Sequence, residues 1–142
     1  MTILEEKDRL RAAVLAKRLR MTASEKQKKD EILAQSLFCQ PVFKQCQSIY
    51  VFLSKKTEVD TTSILRRCWD EGKQVAAPHC VPGTRKMAFY WFKGPDDLIK
   101  GSFGLWEPDP NRCVLATADE TTLCLVPGLA FDRDGYRLGF GK

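Results

Sequence analysis

Ser48 to Ala77, SIYVFLSKKTEVDTTSILRRCWDEGKQVAA, is the stretch that decides the fold class. Ser48 to Leu53 is a short, continuous run rich in β-branched and aromatic residues, which predicts a buried strand. Asp60 or Thr61 then caps a helix through Ile64, Leu65, Cys68 and Trp69, and Gly72 closes it. Lys73 to Ala77 is the next strand. A strand–helix–strand unit predicts parallel strands joined by a right-handed crossover. Downstream, Lys86 to Phe92 reads as another strand, Pro95 to Lys100 as a short helix and Gly104 to Asn111 as a turn-rich stretch. Leu123 to Val126 is a third short apolar strand that can join the parallel sheet. Upstream, residues 3–20 form a first helix. Thr22-Ala23-Ser24-Glu25 is a capping box that opens a second helix to about Phe38, and Pro41 punctuates. The expected fold is α/β, a mostly parallel open sheet flanked by helices.

The 142 residues make about one domain, and 44% hydrophobic with 29% charged residues is ordinary globular usage. A chain of this size buries a core without a metal or disulfide staple. No apolar run approaches the ~20 residues of a membrane span. Glu5, Glu6 and Asp8 near the start argue against a secretory signal and against an acid-poor transit peptide, so the expected location is cytoplasmic. The six cysteines (Cys39, Cys46, Cys68, Cys80, Cys113 and Cys124) form no C-x-x-C pair and read as reduced thiols. One histidine, His79, leaves no zinc-ligand spacing. The net charge of +5 is spread, with Lys17-Arg18-Leu19-Arg20 and Lys26-Gln27-Lys28-Lys29 the densest basic stretches, and no groove-reading motif accompanies it.

The first helix carries an oddity. At ~100° per residue, Ile3, Leu10, Ala13 and Val14 form one apolar cluster and Leu4, Leu15 and Leu19 a second. Lys7, Arg11 and Arg18 fall between the two. Either their stems snorkel along a core and release their heads to water, or they hold an anion beside it. In open α/β sheets ligands gather beyond the carboxyl ends of the strands. Here those ends lead into a loop with Lys55, Lys56 and Glu58, into Pro78-His79, and into the tail PGLAFDRDGYRLGFGK from Pro127 to Lys142. By spacing alone the tail is either a glycine-rich hairpin loop with solvated charges or a phosphate cradle, since neither a Walker A nor a G-x-G-x-x-G pattern fits it. Alone, Glu58 reads as a solvated loop acid and His79 as a loop histidine. Trp91 and Trp106 are either core aromatics or stacking surfaces for a planar ligand.

Three motifs resemble the 5-formyltetrahydrofolate cyclo-ligase (5,10-methenyltetrahydrofolate synthetase) family, in the family's order. They are Lys7-Asp8-Arg9-Leu10-Arg11; Ser48 to Ser54 with Glu58-Val59-Asp60-Thr61; and Val126 to Asp132 followed by Gly135, Arg137-Leu138-Gly139 and Gly141-Lys142. Gly104-Leu105-Trp106-Glu107-Pro108 is similar to a fourth family element. The resemblance implies a three-layer, NagB-like arrangement and a ligase. ATP phosphorylates the formyl oxygen of 5-formyltetrahydrofolate, nitrogen-10 closes the ring, and ADP and phosphate leave. It implies ATP contacts at Lys7, Arg11, Arg137, Leu138, Gly139, Phe140, Gly141 and Lys142, and substrate contacts at Leu53, Glu58, Phe140, Gly141 and Lys142. It assigns no catalytic side chain. It implies Mg2+, with metal-associated aspartates outside this chain, and small-molecule partners for a monomer that binds neither nucleic acid nor membrane.

The family's glycine loop continues with a further glycine, two tyrosines and an aspartate, whereas this sequence stops at Lys142. The expectation is a single incomplete domain over 1–142: N-terminal helices 3–38, a sheet region 48–126 and the start of a nucleotide loop 127–142. The rival readings are an inactive remnant that still binds folate or a partner, and a basic nucleic-acid-binding module. A glycine loop cradles phosphate only when both of its ends are anchored. The 142-residue chain alone is therefore expected to give no methenyl product from 5-formyltetrahydrofolate, ATP and magnesium. Turnover at the rate of a full-length relative, read by product absorbance, contradicts this.

Overall fold

The computed structural model describes residues 2–101 and 104–141. Its centre is a four-stranded sheet in the order β3-β2-β1-β6, where β1 is Ser48–Tyr50, β2 Gln74–Cys80, β3 Met87–Trp91 and β6 Thr122–Cys124. β1 is parallel to both neighbours, with Ile49 opposite Val75 on one side and Leu123 on the other. β3 returns antiparallel to β2. The sheet is therefore mostly parallel. The helix joining β1 to β2 is α4, Thr62–Asp70.

β1 is shorter than its apolar run because only Ser48–Tyr50 carry the full ladder, although Val51 N–H still donates to Ala76 O at 2.9 Å. The side-chain period of two sorts the faces. Ile49, Val51, Val75, Ala77 and Phe92 point to the core, with Leu123 and Leu125 packed at its edge. α2 (Ala23–Phe38) contributes Ala34 and Phe38, α3 (Pro41–Gln45) Phe43, and α4 Ile64 and Cys68. Pro41 opens the short α3 rather than a loop, because proline is tolerated in a helix's first turn. On the opposite face, Tyr50 stacks on Phe89 with centroids 4.5 Å apart and meets Trp91 edge-on at 6.0 Å. That places Trp91 in an aromatic cluster of the sheet.

At the start of α4 the capping is divided. Asp60 Oδ1 accepts the Thr62 N–H at 2.9 Å, which holds the Asp60 carboxyl below its ordinary range. The Thr61 hydroxyl donates instead to Phe52 O at 2.9 Å and so ties the helix entry to the end of β1. At the other end Gly72 has φ +75°, the left-handed conformation that ends helices.

The region after β3 departs from expectation. Pro95–Asp97 is one 3-10 turn, and Leu98–Lys100 is a strand, β4, not a helix. It pairs antiparallel with β5, Trp106–Pro108, inside the stretch expected to be turns. Alternation wins there: Leu98 turns inward and Ile99 outward.

The cysteines divide by place. Cys46 and Cys68 are buried, Cys80 and Cys113 half-buried, and Cys39 and Cys124 exposed, all as free thiols. Burial pushes the Cys68 thiol up to about 12 and raises Cys46 as well. A thiol reagent at neutral pH should modify Cys39 and Cys124 first and reach Cys46 and Cys68 only on unfolding, as peptide mapping would report. Ile49→Ala should cost ~2–5 kcal/mol in denaturant unfolding, whereas the exposed Ile32→Ala should cost ~0.5 kcal/mol or less.

Candidate functional site

The site grows from the carboxyl end of β1. The chain leaves Tyr50 through Leu53, which packs at the edge of the core, and enters a tight turn. In that turn Glu58 N–H donates to Lys55 O at 3.0 Å, and Glu58 Oε1 accepts the Lys55 N–H at 2.8 Å. Glu58 is only 6% exposed. It is not a solvated loop acid, because its own turn folds it inward.

The tail makes a hairpin. β7 (Ala130–Phe131) pairs antiparallel with β8 (Arg137–Leu138), and Asp132 Oδ1 accepts the N–H groups of Asp134 and Tyr136 at 2.9 and 2.8 Å. Gly135, at φ +89°, completes the turn. The hairpin alternative therefore holds for 130–138. Arg137 is exposed and its Nη1 donates to Pro127 O at 2.6 Å, so its guanidinium returns to its own loop. Beyond Leu138 the chain runs back toward the first helix.

That helix is α1, Ile3–Leu19, and it has no buried residue. Ile3, Leu4 and Leu19 are well exposed, so the apolar clusters do not set its packing face. Its half-buried residues are Arg11, Val14 and Arg18, one helical face at spacings of three and four. Arg11 Nε donates to Gly139 O at 3.0 Å while its Nη1 meets Asp8 Oδ1 at 2.7 Å. Gly141 (φ +85°) lies so close that an added Cβ would sit 3.2 Å from the Arg11 guanidinium. Arg18 donates to Thr57 O, Gly128 O and Leu129 O at 3.0, 2.8 and 2.6 Å. Its head turns inward to carbonyls, so the snorkelling reading fails there: three lone-pair acceptors compete with water for the fork. Lys55 Nζ lies 5.5 Å from the Phe140 ring centroid, a cation–π distance.

The fold thus brings Arg11, Gly139, Phe140, Gly141, Lys55 and the Glu58 turn to one edge. Lys7 is exposed, one turn from Arg11 on α1. Lys142 lies outside the described residues. Arg18 and Lys55 were not singled out as site residues. The spacing of Lys7, Arg11 and Arg18, one and two helical turns, was the signal available for Arg18.

A second polar group lies at the end of β2. Glu107, 5% exposed, accepts the Cys80 N–H at 2.8 Å through Oε2, while Oε1 lies 3.3 Å from His79 Nδ1. His79 is therefore a strand residue, in register with Ala88 of β3 and with its ring beside Glu107, not a loop histidine. Burial and the Glu107 carboxylate both raise the Cys80 thiol. Trp106 is exposed, with Lys100 Nζ 5.6 Å from its ring centroid. Among the described residues no group of three His, Cys, Asp or Glu side chains is placed to hold a metal ion. Of the tail's acids, Asp132 is engaged by its own hairpin through Oδ1.

A family model described as the 5-formyltetrahydrofolate cyclo-ligase family matches residues 3–142. The chain belongs to that family. The cyclo-ligase of Haemophilus influenzae is 25% identical over 138 residues, covering 96% of this chain and 74% of the relative. A probable cyclo-ligase of Schizosaccharomyces pombe is 32% identical over 105 residues, 72% of this chain and 51% of the relative. Among solved structures, the Aquifex aeolicus 5,10-methenyltetrahydrofolate synthetase superposes with a TM-score of 0.81 at 31% identity, over 96% of this chain and 68% of that one. The Mycoplasma pneumoniae synthetase shares the fold, with a TM-score of 0.70 at 23% identity. The chain spans about half to three quarters of the length of the relatives it matches. The cyclo-ligase fold expected from the motifs is therefore the fold observed.

Gly141→Ala adds a methyl against Arg11 in a left-handed backbone. It should detach the 139–141 segment and shift the Arg11 Nε–H resonance, with the melting temperature nearly unchanged. An unmoved resonance contradicts the contact.

Proposed function

We propose that this cyclo-ligase family member takes part in the ATP-dependent conversion of 5-formyltetrahydrofolate to 5,10-methenyltetrahydrofolate, with release of ADP and phosphate. The observation that carries the reading is Arg11 held against the Gly139–Gly141 backbone beside the buried Glu58 turn, at the carboxyl end of β1. A guanidinium beside a glycine backbone suits a phosphate chain, because both supply donors at close approach. A buried carboxylate suits the donor-rich edge of a pterin.

In this reading Lys7 and Arg11 hold the phosphates. Arg137, Leu138, Gly139, Phe140, Gly141 and Lys142 line the nucleotide, with Arg137 and Lys142 supplying charge for phosphate. Phe140, Gly141 and Lys142 also meet the folate with Leu53 and Glu58. The γ-phosphoryl group passes to the formyl oxygen. Nitrogen-10 attacks the activated carbon and loses its proton, and the carbon–oxygen bond breaks as phosphate leaves. Such a reaction asks mainly for alignment and charge neutralisation, which suits a site without a nucleophile–base pair. The proposal takes the protein as a cytoplasmic monomer acting on small molecules.

The test replaces the matched 138-residue stretch of the Haemophilus influenzae relative with the corresponding stretch of this chain. The chimera should form methenyl product from 5-formyltetrahydrofolate and ATP. Within it, Lys7→Ala or Arg11→Ala should raise the KM for ATP more than tenfold, about 1.4 kcal/mol. Glu58→Gln should weaken folate more than ATP. A folded, inactive chimera, or equal losses for both ligands in Glu58→Gln, counts against these assignments.

A further inference from the structure

Arg18 is absent from every role assigned above, yet it makes more long-range hydrogen bonds than any other side chain of α1. Its fork spans two separate loops. Nη1 reaches Thr57 O at 3.0 Å, one residue before Glu58. Nη2 reaches Gly128 O and Leu129 O at 2.8 and 2.6 Å, at the entrance to the hairpin that leads to Gly139–Gly141. Among the described residues its guanidinium has no carboxylate partner within salt-bridge distance, so carbonyl dipoles alone hold it. Arg18 also shares a helical face with Arg11, which touches the far end of the same tail.

One rigid group therefore fixes the height of the Glu58 turn, the start of the tail and the C-terminal half of α1 relative to one another. Ordering either loop fixes the fork. A fixed fork spares the other loop part of its ordering cost. Two sites that share an anchor in this way are energetically coupled, and the coupling is reciprocal. We propose that Arg18 is a positioning residue that couples the folate loop to the nucleotide loop, so that occupancy of either tightens the other. The inference rests on the ligand assignments of the proposed function. A lysine keeps the charge but offers one compact ammonium, which cannot span carbonyls on two loops.

The experiment titrates the Haemophilus influenzae chimera described above with 5-formyltetrahydrofolate, with and without a non-hydrolysable ATP analogue, and then with the order reversed. Each ligand should tighten the other by the same factor, roughly fivefold or more, the low end of ordinary coupling between sites. In Arg18→Lys that factor should fall to about one while each ligand alone still binds. Amide exchange supplies a second readout without ligand. Glu58 N–H, bonded to Lys55 O, and Leu129 N–H, bonded to Leu138 O, should both exchange faster in Arg18→Lys, with β1 and β2 unchanged. A coupling factor that survives in Arg18→Lys overturns the proposal, as does unchanged exchange at both amides. Independent binding of the two ligands to the parent overturns the coupling alone. Binding of neither overturns it together with the ligand reading beneath it, and the two failures are told apart by the titration itself.

Discussion

Everything in this structure hangs on β1 being flanked by parallel strands on both sides. A parallel neighbour cannot be reached by a tight turn, so the chain must cross over, and α4 is the crossover into β2. The same geometry points the ends of β1, β2 and β6 in one direction. The loops that follow therefore collect at a single edge whatever their own sequences are. Burial secures the arrangement: Ile49 and Val75, directly paired, are 0% and 2% exposed. A one-residue slip would turn Tyr50 into the core and Ile49 out of it.

The β1–α4–β2 unit was legible because local signals and burial agree there. A continuous apolar run, a cap, a helical period and a closing glycine all specify one answer. The β4–β5 hairpin was not legible. Its local sequence, with a proline and two aspartates ahead of Leu98, resembles a helix start, and what fixes it as a hairpin is remote. Glu107 reaches across to the Cys80 N–H, and Asp109 N–H donates to Asp97 O at 2.8 Å. The Cys80 amide, on another strand, lies outside any short window of sequence around Leu98.

The site was legible in part. Arg11 and the glycines of the tail were marked as belonging together, and the fold brings them together. The packing of α1 was legible for two of its cations, since the helical wheel put Arg11 and Arg18 inside the apolar stripe and both are half-buried, but the wheel also credited the flanking leucines with a burial they do not have. Here the ranking inverts. A guanidinium bonded to three carbonyls lies closer to the body than Leu19, the next residue, which is 64% exposed. The burial of Glu58 was likewise invisible, since it depends on a turn that the carboxylate itself closes.

Gly101 and Glu107 face each other across the hairpin so closely that a Cβ on residue 101 would overlap Glu107 Oε1 at 1.7 Å. The backbone at Gly101 is not in the left-handed region, so the constraint is space and nothing else. The two positions are therefore not free to drift separately over evolutionary time. A side chain at 101 becomes admissible only when the Glu107 carboxylate moves aside or shortens, and either change strips the Cys80 amide of its acceptor and His79 of its neighbour. Changing either residue alone should therefore cost stability at this hairpin. The hairpin is in that sense a ratchet on the sequence of this family member, set by one carboxylate and the absence of one methyl group.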